Sequence, residues 1–248
     1  MIRAIVFDLF DTLVDLSMQD LPRVEIAGRM VPSTAGALHD AVARRADIDF
    51  ERFIAALTEV DRGFREERYA RGLELPTMMR FEAVVEHLGL DLPGLAATLT
   101  DTHMGMIRER VSVPEHHQGV LADLGRRVRL GLCSNFSHSA MALDLLDDSG
   151  LRTSLSAVVI SDVVGIRKPR SEIFEAVLDE LGVEAEETLH VGDSLRADIG
   201  GAAPLGMRTA WITRRVPNAD QVLREHEGPA PDYVIADLAE IDSVLDAV

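Results

Sequence analysis

The sequence predicts an α/β protein: a doubly wound parallel sheet interrupted after its first strand by an all-helical insertion. Three observations carry this expectation. Short apolar runs alternate with helix-length amphipathic stretches from about Val111 to the carboxyl end, the texture of a parallel sheet with helical crossovers. One further run of that kind stands alone at the amino end, Ile2 to Phe7. From about Leu16 to Arg110 the periodicity is helical and no strand is expected.

Ile2 to Phe7 reads as a buried parallel strand because it is β-branched and uncharged after Arg3. In the insertion, Pro32-Ser33-Thr34 should cap a helix running through Leu38 and Val42. Phe53, Leu57, Val60 and Phe64 line one helical face. Phe81, Val84, Val85 and Leu88 line another, started by Pro76-Thr77 and stopped by Gly89. The alternation then resumes with a helix over Gln118 to Gly125 and a strand over Val128 to Cys133. A strand over Leu155 to Ile160 precedes a helix through Ile173, Phe174, Val177, Leu178 and Leu181, ended by Gly182. Leu189 to Val191, Arg208 to Ile212 and Tyr233 to Ile235 are three more short strands, Pro217 to Pro231 is a surface excursion, and Asp237-Leu238 opens a last helix.

Composition narrows the function class. With 47% hydrophobic and 27% charged residues, the 248-residue chain is globular and long enough for one large domain with an insertion. A net charge of −17 argues against nucleic-acid or anionic-membrane partners, which want a basic face. It says little about a small anionic substrate, for which a few local cations suffice. A single cysteine, Cys133, precludes an internal disulfide and fits a reducing compartment. Without a signal-peptide pattern or a bilayer-length apolar run, a cytoplasmic location is expected. Oligomeric state leaves no mark.

The polar residues at the strand ends carry the chemistry. Asp8 ends the first strand, at the carboxyl edge where open α/β sheets bind ligands. Leu132-Cys133-Ser134-Asn135 ends the second core strand, and its hydroxyl, amide and backbone N–H groups suit an anion. Arg167-Lys168-Pro169 sets a cation ahead of a helix, and Val191-Gly192-Asp193-Ser194 ends the fourth strand with Asp198 just beyond. Each alone also reads as an ordinary cap or turn. All four at successive strand ends are harder to explain that way.

In these residues the chain resembles the haloacid dehalogenase-like hydrolase superfamily over its whole length. Asp8 with Thr12-Leu13 is similar to its first motif, Ser134 to its second, Lys168-Pro169 to its third, and Gly192-Asp193 with Asp198 to its fourth. The resemblance implies a Rossmann-like core over residues 1–15 and 111–248, and an all-helical cap domain over 16–110 that sets specificity. It also implies roles. Asp8 would be the nucleophile, forming a covalent aspartyl intermediate, with Ser134 and Lys168 holding the transferred anion and Asn135, Thr12 and Phe10 beside it. Mg²⁺ would sit on Asp8, the backbone carbonyl of Phe10 and Asp193, with Asp198 in or near the shell.

The first motif departs from the family's phosphatases, which carry a second Asp where this chain has Phe10. Phenylalanine cannot protonate a leaving oxygen; Asp11 and Asp15 are the nearby substitutes. An aromatic at this position resembles the 2-haloacid dehalogenases, which need neither the proton nor a metal, whereas Gly192-Asp193 and Asp198 resemble the phosphatases. Arg23, Arg29 and Arg80 are candidates for a halide-binding arginine. Three readings therefore stand: a Mg²⁺-dependent phosphatase of a small phosphorylated metabolite, a metal-independent dehalogenase-type hydrolase, or a degenerate non-catalytic relative.

Overall fold

The computed structural model describes residues 1–246 and divides into two compact units, one of Met1–Asp15 with Ser112 onward, the other Leu16–Val111. In the first unit β1 (Ala4–Phe7) lies in the middle of a six-stranded parallel sheet and is buried at every position. The chain leaves this unit through β2 (Asp15–Leu16), and in the second it forms β3 (Arg23–Ile26) and β4 (Arg29–Pro32). Four helices follow: α1 (Ala35–Ala43), α2 (Phe50–Glu67), α3 (Thr77–His87) and α4 (Leu95–Arg108).

The chain returns through β5 (Val111–Ser112), which pairs with β2. Then come α5 (His117–Leu124), β6 (Arg129–Ser134), α6 (Ser139–Asp148), β7 (Ala157–Ile160) and the short α7 (Ser161–Val164). After α8 (Ser171–Leu181) and β8 (Thr188–Gly192), a π-helical turn over Leu195–Ile199 leads into β9 (Arg208–Ile212). The excursion carries a short helix, α9 (Ala219–Glu225), and β10 (Tyr233–Ile235) and α10 (Ile241–Asp246) end the described chain.

Strand order is β10-β9-β8-β1-β6-β7, so β1 has β8 on one side and β6 on the other. The order reverses at β1, and this is where a doubly wound sheet opens a crevice at its carboxyl edge. Asp8, Ser134 and Asp193 are therefore brought to the same edge by three adjacent strands. On one face Ala4, Val6, Cys133 and Val159 pack against Ile173, Phe174, Val177 and Leu181 of α8. Gly131 permits that approach: a Cβ there would lie 2.9 Å from Leu181 Cδ1.

The second unit has its own core, in which Leu38, Val42, Phe53, Leu57, Phe81, Val84, Leu95 and Leu99 of its four helices meet. It is not purely helical, contrary to expectation. β3 and β4 form an antiparallel hairpin around Ala27-Gly28, both with positive φ (51° and 74°). Two left-handed residues in a two-residue loop match the twist of the paired strands, which is why the ribbon forms. Alanine is an unusual choice for the first of them, and it hid the turn. Among the described residues, no helix is long and apolar enough to cross a membrane.

Candidate active site

Three carboxylates, Asp8, Asp193 and Asp198, offer oxygens within 4.8 Å of one another at the carboxyl edge of the sheet. Asp8 follows β1 directly, its backbone N–H donating to Val191 O at 2.9 Å. Asp198 is placed from behind. The π-helical turn after β8 swings it back under the strand end, and Gly192 makes room; a Cβ on Gly192 would lie 2.2 Å from Asp198 Cγ. The Gly192-Asp193 loop is pinned by the Trp211 indole, whose Nε1–H donates to Asp193 O at 2.7 Å.

One buried ammonium sits among them. Lys168 Nζ donates to Asp8 Oδ1 (2.6 Å), Asp198 Oδ1 (2.6 Å) and Cys133 O (2.7 Å), which engages all three of its protons. Asn135 clamps the backbone of Lys168: its amide donates to Lys168 O (3.0 Å) and its carbonyl accepts from Lys168 N (2.8 Å). The side chain of Asn135 thus places the lysine, and the second N–H of its amide, like its backbone, is left over from that clamp. Asp198 also accepts from Ser194 N (3.0 Å) and from His190 Nε2 (3.0 Å). Burial pushes His190 below its ordinary value, so the neutral ring donates from Nε2.

The charges do not balance. Three carboxylates face one ammonium, and the site answers by holding protons. Burial, with the nearby Asp8, Asp198 and Asp11 carboxylates, pushes Asp193 up to about 8. Burial also raises Asp8 despite the pull of Lys168. Asp198 is the exception: against its own burial, Lys168 and His190 hold it well below the ordinary range. The buried hydroxyls of Ser134 and Thr12 have no hydrogen-bond partner. A site short of positive charge and lined by hard oxygen donors fits a divalent cation, and the two unpartnered hydroxyls, which follow β1 and end β6, suit an oxyanion. Asp8 and Asp193 are the freer ligands, since Asp198 already accepts from three donors.

A pH dependence follows. In the metal-free protein Asp193 keeps its proton up to about pH 8, whereas the unfolded chain loses it near 3.8. Between these values the native state holds the Asp193 proton and the unfolded chain does not, so the contribution of Asp193 to stability should fall as pH rises from about 4 to about 8. His103, His117 and His190, pushed by burial below their ordinary value, act in the opposite sense over the lower part of that window. Asp198, with its depressed value, gains its stability at lower pH and leaves this window untouched. Urea midpoints in EDTA at about pH 5 and about pH 8.5 check it. From about pH 5 to about pH 8.5 the parent should lose more stability, or gain less, than Asp193→Asn, and the same change in both would count against the raised carboxyl.

Phe10 packs its ring on Phe136 with centroids 4.7 Å apart. Asp11, at φ 57°, meets Arg215 Nε at 3.3 Å, and Asp15 is held by Arg214, with Nη1 at 3.0 Å from Oδ2. Both carboxylates are thus engaged by consecutive arginines after β9. Of the candidate halide arginines, Arg23 is used within the hairpin on Met30 O (2.7 Å), and Arg80 forms a two-point ion pair with Asp61 (2.7 Å each). Sequence reasoning missed His190, Trp211, Phe136 and the Arg214–Arg215 pair. Only the arginines left a signal, a basic doublet directly after a strand.

Membership of a family of hydrolases accounts for sheet, insertion and edge cluster together. A sequence model of haloacid dehalogenase-like hydrolases matches residues 2–206, and the chain belongs to that family. It is 27% identical to a ribulose-1,5-bisphosphate 5-phosphatase of Halopiger xanaduensis, with 99% of this chain and 100% of that protein covered. Among solved structures, a 2-haloacid dehalogenase of Pseudomonas syringae superposes with a TM-score of 0.70 at 24% identity over 100% and 99% of the two chains. The magnesium-bound HAD-hydrolase YfnB of Bacillus subtilis does so at 0.60 and 23% over 99% of each. At these identities the structures bear on the fold alone.

Proposed function

We propose that the protein is a Mg²⁺-dependent phosphatase of a small phosphorylated metabolite, with Asp8 as its nucleophile. The observation that carries this reading is the charge deficit: Asp8, Asp193 and Asp198 converge at one sheet edge, the ammonium of Lys168 pairs with two of them, and Asp193 is raised to about 8. A haloacid site has no use for a third carboxylate there, since halide leaves without help. The phosphatase relative from Halopiger xanaduensis supports the same choice. Mg²⁺ held by Asp8, Asp193 and the Phe10 carbonyl would supply the positive charge that a phosphate dianion and a carboxylate need in order to approach.

The chain's own residues then divide the work. Lys168 orients the Asp8 carboxylate and offsets its charge, and Asp198, Asn135 and His190 hold Lys168 in place. An Asp8 oxygen attacks phosphorus, the bond from phosphorus to the leaving oxygen breaks, and an acyl phosphate remains on Asp8. The unspent hydroxyls of Ser134 and Thr12 donate to phosphoryl oxygens. Water then hydrolyses the acyl phosphate, returning Asp8 and releasing phosphate. The inserted unit, 16–110, serves as the cap that selects the substrate.

Nothing at Phe10 can protonate the leaving oxygen, so rate should depend steeply on leaving-group pKa. Aryl or acyl phosphates should outrun alkyl ones by about 10²- to 10⁴-fold. A series of phosphomonoesters assayed with Mg²⁺ and with EDTA tests this. Mg²⁺-dependent turnover that Asp193→Asn removes is the expected result. A rate unaffected by EDTA and by Asp193→Asn would sink the metal assignment, and a flat series would mean another residue supplies the proton.

One observation favours a second reading. The Phe10–Phe136 pair makes residue 10 a packed wall. In a dehalogenase such a wall would flank the carbon undergoing displacement. Halide release from a 2-haloacid in EDTA, surviving Asp193→Asn, would establish that reading in place of the first.

A further inference from the structure

A second cluster of ligating side chains lies away from the acidic one. His116 and His117 open α5, and Asp237 precedes the last turns of the chain. A ring nitrogen of each histidine and a carboxylate oxygen of Asp237 lie within 4.8 Å of one another. His117 is wholly buried, and its Nδ1 lies 2.8 Å from the Leu13 carbonyl oxygen. Because a carbonyl only accepts, Nδ1 carries the proton and Nε2 presents a lone pair. That Nε2 is buried and has no hydrogen-bond partner. His116 Nε2 stands 2.6 Å from Asp237 Oδ1.

An ordinary structural account covers most of this. His116–Asp237 would be an ion pair at a helix start, and His117 a tie for the Leu13 carbonyl. It leaves the buried Nε2 of His117 unexplained, and an orphaned buried acceptor is costly. A histidine whose Nδ1–H is fixed by a backbone carbonyl, with Nε2 free, is the usual arrangement of a metal-ligating imidazole. The surrounding charge permits a cation. Arg214 lies 3.7 Å from Asp237 Oδ2, but its guanidinium is paired with Asp15. Asp237, Asp15 and Arg214 together leave one negative charge, and burial pushes His117 down, toward its neutral form.

We propose that His116, His117 and Asp237 form a second metal site, distinct from the acidic cluster, for a borderline transition-metal dication of which Zn²⁺ is the representative. Two imidazole nitrogens and one carboxylate oxygen favour such an ion over Mg²⁺, and solvent completes the shell. On binding, the Nε2 proton that His116 shares with Asp237 passes to Nδ1 of the same ring, and His116 Nε2 and the Asp237 carboxylate turn their lone pairs to the metal. The bound ion fastens the start of α5 to the segment before the last helix. Through the His117–Leu13 bond it also fastens the loop that carries Asp8.

The test uses the full chain carrying Asp193→Asn, which weakens the acidic cluster, with Mg²⁺ in excess. Zn²⁺ is titrated by calorimetry, and Co²⁺ by its visible absorption. One Zn²⁺ per chain, with a Co²⁺ spectrum of imidazole coordination, is the expected result. His116→Ala removes an exposed side chain, so the fold should stand, as circular dichroism will check. It should weaken Zn²⁺ by at least about tenfold, as should Asp237→Asn. No Zn²⁺ binding under these conditions, or the same affinity in both variants as in the parent, overturns the proposal.

Discussion

Asp8→Asn is expected to reduce turnover by on the order of 10⁶-fold, the scale on which an enzyme loses activity with its nucleophile. The fold should survive the change. Asparagine keeps an Oδ1 that can accept from Lys168 Nζ, as the aspartate does at 2.6 Å, and the backbone bond to Val191 is untouched. It also removes one of three crowded carboxylates, which relieves Asp193, so the variant should be at least as stable as the parent when metal-free. Loss of activity with stability retained is the signature to look for. A rapid quench with labelled phosphoester should leave label on the parent chain and none on the variant. Substantial residual turnover by Asp8→Asn would place the nucleophile elsewhere.

Lys168→Met should damage both activity and fold. The lysine is 5% exposed and answers three acceptors, so its loss leaves Asp8 and Asp198 facing each other without a cation. Breaking a buried ion pair from one side costs about 3–5 kcal/mol. Both carboxyls should then titrate upward, and the variant should be most stable in acid, where they are protonated. Turnover should fall by about 10²- to 10³-fold at a minimum, the loss attached to one donor at a developing charge. Lys168→Arg is the useful companion, because it restores charge without fitting the space. Denaturant midpoints near those of the parent for Lys168→Met would show that the pairing of Lys168 with Asp8 and Asp198 is not a structural element.

These two variants rest on residues that were legible in the sequence. Asp8, Ser134 and Asp193 could be found because each ends or follows a short apolar run, and parallel strands in one sheet end at one edge. Lys168 was legible only as a cation before a helix; its burial was not, because its three acceptors come from β1, β6 and the turn after β8. The structure gives Asn135 a second task that its residue type does not announce. An amide beside a hydroxyl looks like an anion ligand, and its use on the Lys168 backbone depends on a contact across 33 residues. His190 was invisible, since a histidine inside an apolar strand carries no local mark of the carboxylate it will meet. The β3–β4 hairpin escaped because Ala27 occupies a left-handed position where asparagine or glycine would have announced the turn.

The bond from Trp211 to the Asp193 carbonyl has a practical side. The chain contains one tryptophan, so its near-ultraviolet emission comes from a single indole. That indole is 1% exposed, and its N–H is held by the backbone of a residue in the acidic cluster. Any ion or oxyanion that draws the Gly192-Asp193 loop inward changes the length of this bond, and with it the polarity the excited ring feels. The protein therefore carries a built-in optical probe beside its acidic cluster. Ligand occupancy can be followed by fluorescence without a label, on the wild-type chain, and with substrates that have no chromophore.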